Sequence, residues 1–580
     1  MNEFFKAKAI SSLEKCFSDG DIARTHALSE DTVLQNERYA FQVAYVYEHP
    51  KNIDGIPAFV TVESPLAERI SVSIVESVPV RLPVYRNTPA EDLDNYLRTT
   101  PGLYPDLLLP YEEKGRLSLL PHELSALWVD VDASREPMEP GTYPIDIIFT
   151  SEATDGKCAE EFGRVTFTLT VLPAMLPKQK TLVTQWFHTD CLSSYYGTPV
   201  FSEEYWRIVE NYMFNLAKNG INLVLTPTHT PPLDTAIGHE RPTVQLIDVT
   251  YKDGAYSFDL SKLGRWVDIA ERAGIENFEI AHLFTQWGAK SAPKIMATVY
   301  VENGNADYKR IFGWDTVATS VEYTTFLRAY LTELLAYMKS RGKDKNCYFH
   351  ISDEPWFGEQ LECYIAAKNT IADILEGYTI MDAVSHYEIY ESGALATPIP
   401  ASNSIEEFLA HNVPNLWTYY CCAQPKDVSN RFLAMPSDRN RIIGIQMYKH
   451  NIVGFLQWGY NFYYSRRSFY PINPYYISDG DFFSPAGDCY SVYPAPNGDA
   501  YDSLRIRIFY HAMQDIRAMQ LAEELCGRDA VMNAIEGELA ENEKITFAYY
   551  PHGEKDGTSV GITYVHKVRA AVNALIASKI

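Results

Sequence analysis

Residues 347–356 read Cys-Tyr-Phe-His-Ile-Ser-Asp-Glu-Pro-Trp, and they predict a short buried β-strand that ends at two adjacent acids. Side chains alternate across a strand, so the apolar residues at positions 347, 349 and 351 share one face and the polar ones at 348, 350 and 352 share the other. Pro355 lacks an amide donor and restricts Glu354 to extended conformations, so the chain is expected to leave the sheet there. Both carboxylates, Asp353 and Glu354, can then lie at one rim.

A second interpretation of the same segment is purely structural. Ser352 or Asp353 could cap the N-terminus of a helix whose first turn contains Pro355. The segment alone does not separate this capping role from a chemical one. In favour of chemistry, two carboxylates beside an aromatic surface suit acid/base catalysis on a sugar.

Composition narrows the function classes. The chain has 580 residues, which favours two or more domains, and its formal charge of −25 argues against nucleic acid or an anionic membrane as partner. Aromatic residues make up 13% of the chain, with 40 tyrosines, which suits carbohydrate stacking as well as a large core. No run of about 18 apolar residues predicts a membrane span.

Cysteine and histidine usage predicts neither a disulfide framework nor a metal site. The nine cysteines are scattered without a C-x-x-C pair, the histidines lack metal-ligand spacing, and His239-Glu240 has no second histidine. Neither a Gly-rich phosphate loop nor a G-x-S-x-G elbow is found. The first residues contain no uninterrupted apolar stretch typical of a signal peptide, so we expect a reduced, cytoplasmic protein without metal or cofactor.

Residues from about 36 to 172 show the alternation of β-strands. Val165, Phe167, Leu169 and Val171 alternate with three threonines, and a Pro-Gly pair at 140–141 marks a turn. Short strands with such punctuation predict a β-sandwich over residues 1–175. The stretch 173–180 is expected to be a linker.

After residue 180 the pattern changes to strand, loop and helix. Apolar residues recur at helical spacing between Ser202, a candidate cap, and Gly220, a candidate stop. Eight such units predict a (β/α)8 TIM-type barrel over residues 181–525, followed by a tail of uncertain structure at 526–580. The predicted barrel strands are 181–188, 221–226, 274–283, 347–352, 378–385, 415–420, 453–458 and a last one near 490–493.

The ends of these strands supply the candidate site, because chemistry in such barrels is found at the carboxyl ends of the strands. The candidates are aromatic and polar without being basic, which favours a neutral ligand. They are His188, His229, Trp287, Asp353, Glu354, His386, Tyr419, Trp458 and Asn461.

Trp458-Gly459-Tyr460-Asn461 is the second informative segment. A tryptophan at the end of a strand can form the floor of a sugar subsite through its flat apolar face, or it can be a core residue beneath a loop. Trp417, Tyr419 and Tyr420 on the preceding predicted strand allow the same two interpretations, since alternate residues must face the helices.

Several stretches of the chain resemble glycoside hydrolase family 123, the β-N-acetylgalactosaminidases, and the wider group that shares their catalytic domain. They span nearly the whole chain. They are Tyr-Pro-Asp-Leu-Leu-Leu-Pro at 104–110, His-Ile-Ser-Asp-Glu-Pro at 350–355, Leu-Trp-Thr-Tyr-Tyr-Cys at 416–421, Gly-Phe-Leu-Gln-Trp-Gly-Tyr-Asn at 454–461, Asn-Pro-Tyr at 473–475 and Tyr-Asp-Ser-Leu-Arg-Ile-Arg at 501–507.

The resemblance implies a β-sandwich before a catalytic barrel, and hydrolysis of a terminal β-linked N-acetylhexosamine with retention. The substrate's own 2-acetamido oxygen would attack the anomeric carbon, with Asp353 orienting the acetamide and Glu354 protonating the leaving oxygen. Trp458, Tyr419, Trp287, His386, Asn461 and His188 are the expected substrate-binding residues. The residues do not distinguish galacto from gluco substrates, and another glycosidase activity or a non-catalytic carbohydrate-binding protein stays open.

Overall fold

The N-terminal part of the chain is a β-sandwich. The computed structural model describes residues 3–50, 54–152, 159–301, 305–540, 543–555 and 558–580. Ten strands form two five-stranded sheets, of order β1-β3-β8-β5-β6 and β2-β10-β9-β4-β7. Their bounds are β1 Phe5–Ile10, β2 Glu30–Leu34, β3 Arg38–Tyr47, β4 Ile56–Glu63, β5 Ile70–Val80, β6 Gly102–Pro110, β7 Leu117–Leu119, β8 Ser125–Asp132, β9 Gly141–Thr150 and β10 Glu161–Leu172.

The predicted alternation is confirmed in β10. Val165, Phe167, Leu169 and Val171 are buried between the sheets, and the threonines between them lie on the other face. The rings of Phe41 and Phe167, one from each sheet, stack with centroids 4.1 Å apart. The core of the sandwich therefore forms where period-two patterns from both sheets meet.

The remaining strands build the barrel and three small sheets. They are β11 Leu182–Gln185, β12 Leu223–Thr226, β13 Asp248–Lys252, β14 Ala255–Asp259, β15 Asn277–Ile280, β16 Ile295–Tyr300, β17 Ala306–Phe312, β18 Cys347–Phe349, β19 Thr379–Val384, β20 Thr397–Pro400, β21 Trp417–Tyr419, β22 Gly454–Gln457, β23 Val492–Pro494, β24 Ala500–Asp502, β25 Glu554–Lys555 and β26 Thr558–Ser559.

Thirteen α-helices are found in the described residues. They are α1 Tyr111–Lys114, α2 Thr189–Tyr196, α3 Glu203–Lys218, α4 Ser261–Ala273, α5 Val321–Ser340, α6 Glu359–Asn369, α7 Tyr387–Glu391, α8 Glu406–Ala410, α9 Asp438–Arg441, α10 Ile443–Lys449, α11 Leu504–Cys526, α12 Arg528–Glu536 and α13 Val560–Ala577. Within the described ranges, none of them combines the length and the apolar character that a bilayer crossing requires.

The eight barrel strands are all parallel and follow the order β20-β19-β18-β15-β12-β11-β22-β21. An isolated bridge between Ala401 and Tyr419 brings the first and last strands of this order together. The Ser402 amide donates to the Tyr419 carbonyl oxygen over 2.8 Å at the same place. The sheet is therefore a nearly closed TIM-type barrel, as the sequence predicts.

One predicted barrel strand is wrong, and one strand of the barrel was not predicted. The segment near 490–493 belongs to β23, which pairs antiparallel with β24 outside the barrel. The sixth strand of the barrel is instead β20, whose sequence Thr-Pro-Ile-Pro has two prolines. Proline lacks the amide donor of a sheet ladder, so a strand with two prolines gives no strand signal.

The last helices cover the outer face of the sandwich. Residues of α11, α12 and α13 form one buried cluster with Ala40, Leu108 and Trp128 of the sandwich. Two helices, α12 and α13, therefore lie in the C-terminal stretch whose structure was uncertain from the sequence. The predicted division into 1–175, 181–525 and 526–580 stays a prediction.

Buried ion pairs connect the sandwich to α11. Arg505 on α11 pairs with Asp106 on β6 at 2.8 Å, and Tyr493 donates its hydroxyl to the same carboxylate over 2.6 Å. Arg507, in the first turn of the same helix, pairs with Asp130 on β8 at 2.9 Å. Since these groups are fully buried, each charge depends on its partner.

We expect Asp106→Ala to lower the free energy of unfolding by about 3–5 kcal/mol, because it leaves the Arg505 guanidinium buried without its carboxylate. Urea unfolding followed by fluorescence measures the change. Lys114→Ala, which removes an exposed pair with Glu76, is the control and should cost about 1 kcal/mol or less. Equal losses of stability in the two variants would contradict a structural role for the buried ion pairs between α11 and the sandwich.

Candidate active site

A cavity of about 240 Å³ opens at the carboxyl ends of the barrel strands. Both acids of the Asp353-Glu354 pair line it, together with Trp287, Tyr419 and Trp458. The aromatic side chains form walls around the two carboxylates, which is the arrangement expected of a site that binds and protonates a sugar. The other lining residues are Trp186, Asp234, Gln286, Ala383, Cys421, Cys422, Leu456, Arg466, Arg467 and Phe483.

The acid pair follows β18 in a braced turn. The strand ends at Phe349, and Ser352 donates its hydroxyl to the Thr285 carbonyl oxygen over 2.9 Å. The Trp287 amide donates to the Asp353 carbonyl oxygen over 2.9 Å. Because α6 begins only at Glu359, after Gly358, neither Ser352 nor Asp353 caps a helix. The capping interpretation is therefore wrong.

Glu354 does not have the extended backbone that the following proline predicts. Its φ is 43°, in the left-handed region that non-glycine residues rarely occupy. The hydroxyl of Tyr419 donates to Glu354 Oε1 over 2.6 Å and holds the carboxylate at the rim. Such strain persists where the surroundings fix the residue, and it is concentrated at functional sites.

The two carboxyl groups have different surroundings. Burial, and then the neighbouring charge of Glu354, raise the pKa of Asp353 well above its usual range. Burial also raises the pKa of Glu354, but the hydrogen bond from Tyr419 opposes that rise. The pair is thus expected to titrate as one coupled unit in which a proton is easily retained.

His350 lies on the interior face of the barrel beneath the pair, between two further acids. Its Nε2 is 2.8 Å from Glu279 Oε1 and its Nδ1 is 3.0 Å from Asp382 Oδ1. Burial alone would lower the pKa of His350, but the hydrogen bonds to Asp382 and Glu279 raise it to about 10. His350 is therefore an imidazolium, and its charge lowers the pKa of Asp353.

The same polar group extends across the barrel. Glu279 accepts hydrogen bonds from the Trp186 indole over 2.7 Å and from the Thr184 hydroxyl. Asp382 accepts from the Tyr364 hydroxyl over 2.6 Å. Every one of these groups is buried, so the network fixes the interior side chains on which the acid pair rests.

Part of this network has the composition of a metal site. Ligand atoms of His282, His350 and Asp382 lie within 4.8 Å of one another. However, carboxylates already occupy both nitrogens of His350, and the His282 ring stacks on it with centroids 4.2 Å apart. A cation would have to displace those hydrogen bonds, so we interpret the cluster as support for the acid pair.

Trp458 forms one wall of the cavity. Its indole Nε1 donates to Asp488 Oδ2 over 3.0 Å, which fixes the ring. The next residue, Gly459, has no room for a side chain, because a Cβ there would lie 2.4 Å from the Cys489 carbonyl oxygen. The sequence therefore places Trp458 correctly at the cavity, and its contact with a sugar stays a prediction.

His188 and Asn461 lie behind Trp458 and do not line the cavity. His188 Nε2 is 2.8 Å from the Trp458 carbonyl oxygen, and Asn461 Oδ1 accepts from the His188 amide over 2.8 Å. Burial lowers the pKa of His188 to about 3, helped by the charge of Arg241. These two side chains support the Trp458 backbone and, among the described residues, are not part of the cavity wall.

His386 is also outside the cavity wall. Its ring packs edge-on against Trp356 and Phe357, with centroids 4.1 and 5.0 Å away. His229 is buried, and its Nε2 lies 2.8 Å from the His282 carbonyl oxygen. Both histidines follow barrel strands as predicted, but their side chains make protein contacts.

Several cavity residues come from loops and were not predicted from the sequence. Asp234, Gln286, Arg466, Arg467 and Phe483 line the cavity but follow no strand end directly. The adjacent arginines at 466–467 were the one local signal available, since they come soon after the Trp458 segment.

The sequence model of the glycoside hydrolase 123 catalytic domain matches residues 186–522, which contain both acids and the aromatic walls. The chain belongs to glycoside hydrolase family 123. No curated protein sequence matches it.

A solved structure agrees with this family at the level of the fold. A family 123 glycoside hydrolase from Clostridium perfringens, described for glycolipid glycan hydrolysis, matches with a TM-score of 0.71 and 14% identity over 99% of each chain. A β-glucuronidase from Bifidobacterium dentium matches with a TM-score of only 0.31 and 9% identity, over 88% of this chain and 66% of that one. That second likeness is too distant to support an argument, and the first shows the shared fold.

Proposed function

We propose that this glycoside hydrolase removes terminal β-linked N-acetylhexosamine, preferentially N-acetylgalactosamine, with retention of the anomeric configuration. Its substrate would be a glycan or glycoside, and the nucleophile would be the substrate's own 2-acetamido oxygen. Family membership supports hydrolysis of a glycoside, and the resemblance of the acid-pair motif supports the choice of sugar.

The observation that carries the proposal is that two carboxyls adjacent in sequence line one cavity. A direct nucleophile and its acid flank the scissile bond about 5 Å apart, and an inverting pair needs still more room. Neighbouring residues instead suit one acid at the leaving oxygen and one beside it at the acetamide. Intramolecular attack would contribute an effective molarity of roughly 10⁵ M or more.

The surroundings of the pair suggest how the proton is placed. In the free protein the Tyr419 hydroxyl favours an ionised Glu354, while burial favours a protonated Asp353. A bound acetamide N–H would stabilise ionised Asp353, and the glycosidic oxygen would accept a proton from Glu354. Substrate binding would therefore move the shared proton to Glu354, where the leaving group needs it.

The direct test compares aryl β-glycosides of N-acetylgalactosamine, N-acetylglucosamine and galactose. We expect turnover to require the 2-acetamido group and to be fastest for N-acetylgalactosamine. NMR of the first-formed sugar should show the β anomer. Rapid cleavage of the plain galactoside, or an initial α product, would exclude substrate assistance, and a faster N-acetylglucosaminide would reverse the stated preference.

The two acids should respond differently to the leaving group. Glu354→Gln should slow substrates with sugar leaving groups by about 10²–10⁴-fold and largely spare dinitrophenyl glycosides, which need little protonation. Asp353→Asn should slow both kinds of substrate, since each needs acetamide attack. Steady-state kcat/KM for the two leaving groups measures the difference, and equal rescue in both variants would contradict the assigned roles.

Tyr419→Phe provides a test by pH. Glu354 must be protonated to act, so kcat/KM falls as the pH rises through its pKa. Tyr419 lowers that pKa by hydrogen bonding to the carboxylate, so removing the hydroxyl should raise the pKa and move the alkaline limb to higher pH. Tyr348→Phe, on the interior face of β18 and without a bond to either acid, is the control. An unmoved alkaline limb in Tyr419→Phe would show that the hydroxyl does not tune the acid.

A further inference from the structure

Arg466 and Arg467 line the same cavity as the acid pair. Within the described ranges, no carboxylate lies at ion-pair distance from either guanidinium. Other arginines near this end of the barrel do have partners. Arg241 pairs with Asp190 at 2.6 Å, and Arg81 pairs with Asp479 at 2.9 Å. The chain has a formal charge of −25, so two arginines at a cavity without an acidic partner among the described residues are unexpected.

The backbone that presents them is strained and braced. Arg467 and Ser468 have φ values of 56° and 57°, in the left-handed region. The Ser468 hydroxyl donates to the Asp234 carbonyl oxygen over 2.9 Å, and the Ala236 amide donates to the Arg467 carbonyl oxygen over 3.1 Å. Two consecutive non-glycine residues with left-handed backbone are strained, and such strain is concentrated at functional sites, including segments that clamp a ligand.

Aromatic rings, and not carboxylates, hold the two guanidinium groups. Arg466 Cζ lies 5.9 Å from the Phe483 ring centroid, and Arg467 Cζ lies 5.9 Å from the Trp287 ring centroid. Both rings also line the cavity. A guanidinium over a ring face keeps its N–H groups available at its edge.

Asp234 also lines the cavity, but among the described residues it forms no ion pair with either arginine. Burial raises the pKa of Asp234 to about 6, although the charges of Arg241, Arg466 and Arg467 oppose that rise. Its Oδ2 is buried and accepts no hydrogen bond from the described residues. Since neither arginine has an ion-pair partner among the described residues, both guanidinium groups remain available to a ligand.

We propose that Arg466 and Arg467 bind an anionic substituent of the substrate glycan, a sulfate ester or a carboxylate, so that the preferred substrate is an acidic glycan. This inference rests on the proposed N-acetylhexosaminidase function and names its substrate class. The planar fork of N–H donors in a guanidinium matches both anions in a bidentate manner. The anion would lie on the cleaved sugar or on the sugar next to it.

The experiment compares two pairs of substrates. One pair is an aryl β-N-acetylgalactosaminide with and without a 6-sulfate, and the other is an N-acetylgalactosamine-terminated oligosaccharide with and without a neighbouring sialic acid. The measured quantity is the ratio of kcat/KM for the charged over the uncharged member. The pair with the larger ratio identifies which anion is recognised.

We expect the ratio to exceed one in the wild type and to fall about 10- to 100-fold in the Arg466→Gln/Arg467→Gln double variant, as loss of charged hydrogen bonds predicts. Each single variant should show part of the fall, which keeps the test open if the double variant does not fold. Arg272→Gln removes an exposed arginine of α4 that pairs with Glu210 of α3, does not line the cavity, and should leave the ratio unchanged.

Binding separates this inference from the proposed function. Calorimetric titration with N-acetylgalactosamine, its 6-sulfate and both oligosaccharides needs no turnover. If no N-acetylhexosaminide is cleaved, but a charged ligand binds more tightly than its neutral counterpart and the double variant loses that preference, only the proposed function fails. Equal or weaker binding of both charged ligands by the wild type, or a preference that survives in the double variant, would overturn the inference.

Discussion

The barrel interior depends on one buried cation, the imidazolium of His350 held between Glu279 and Asp382. Glu279 lies on β15 and Asp382 on β19, and His350 directly follows β18, which lies between these two strands. An ion group of this kind costs desolvation free energy, and it is stable only when every charge is paired and hydrogen-bonded. Trp186, Thr184 and Tyr364 satisfy the remaining carboxylate oxygens, so the network is complete across the barrel. Replacing any charged member would leave another buried charge without its partner.

The fixed position of His350 also affects the acid pair. Because both nitrogens of His350 are bonded to carboxylates, its ring cannot rotate, and its charge stays directly below the turn that carries the acid pair. That charge opposes the rise in the pKa of Asp353, while Tyr419 opposes the rise in the pKa of Glu354 from the other side of the cavity. The pKa of each carboxyl is thus influenced by a different neighbour, although the two residues are adjacent in sequence.

Features carried by strands were predictable from the sequence, and features carried by loops were not. The period-two pattern of β10 and the strand-end positions of Asp353, Glu354, Tyr419 and Trp458 are local properties, so they could be derived. His188 and Asn461 also follow strands, but whether a side chain faces the cavity or the backbone behind it depends on tertiary packing. The proline-rich β20 gives no local signal. Asp234, Gln286 and the two arginines reach the cavity only because long loops fold back over the barrel.

The loop after β22 shows how a barrel adapts a fixed catalytic pair to a particular ligand. Trp458, at its start, is fixed by Asp488 and lies next to the strand, so its position follows from the barrel itself. Arg466 and Arg467, only a few residues later, depend on a strained backbone braced against the loop of Asp234. The acid pair and its buried support can therefore stay constant while this loop changes the charge presented at the cavity. Specificity for the groups around the cleaved sugar would then depend on loop residues that the folding of the barrel does not require.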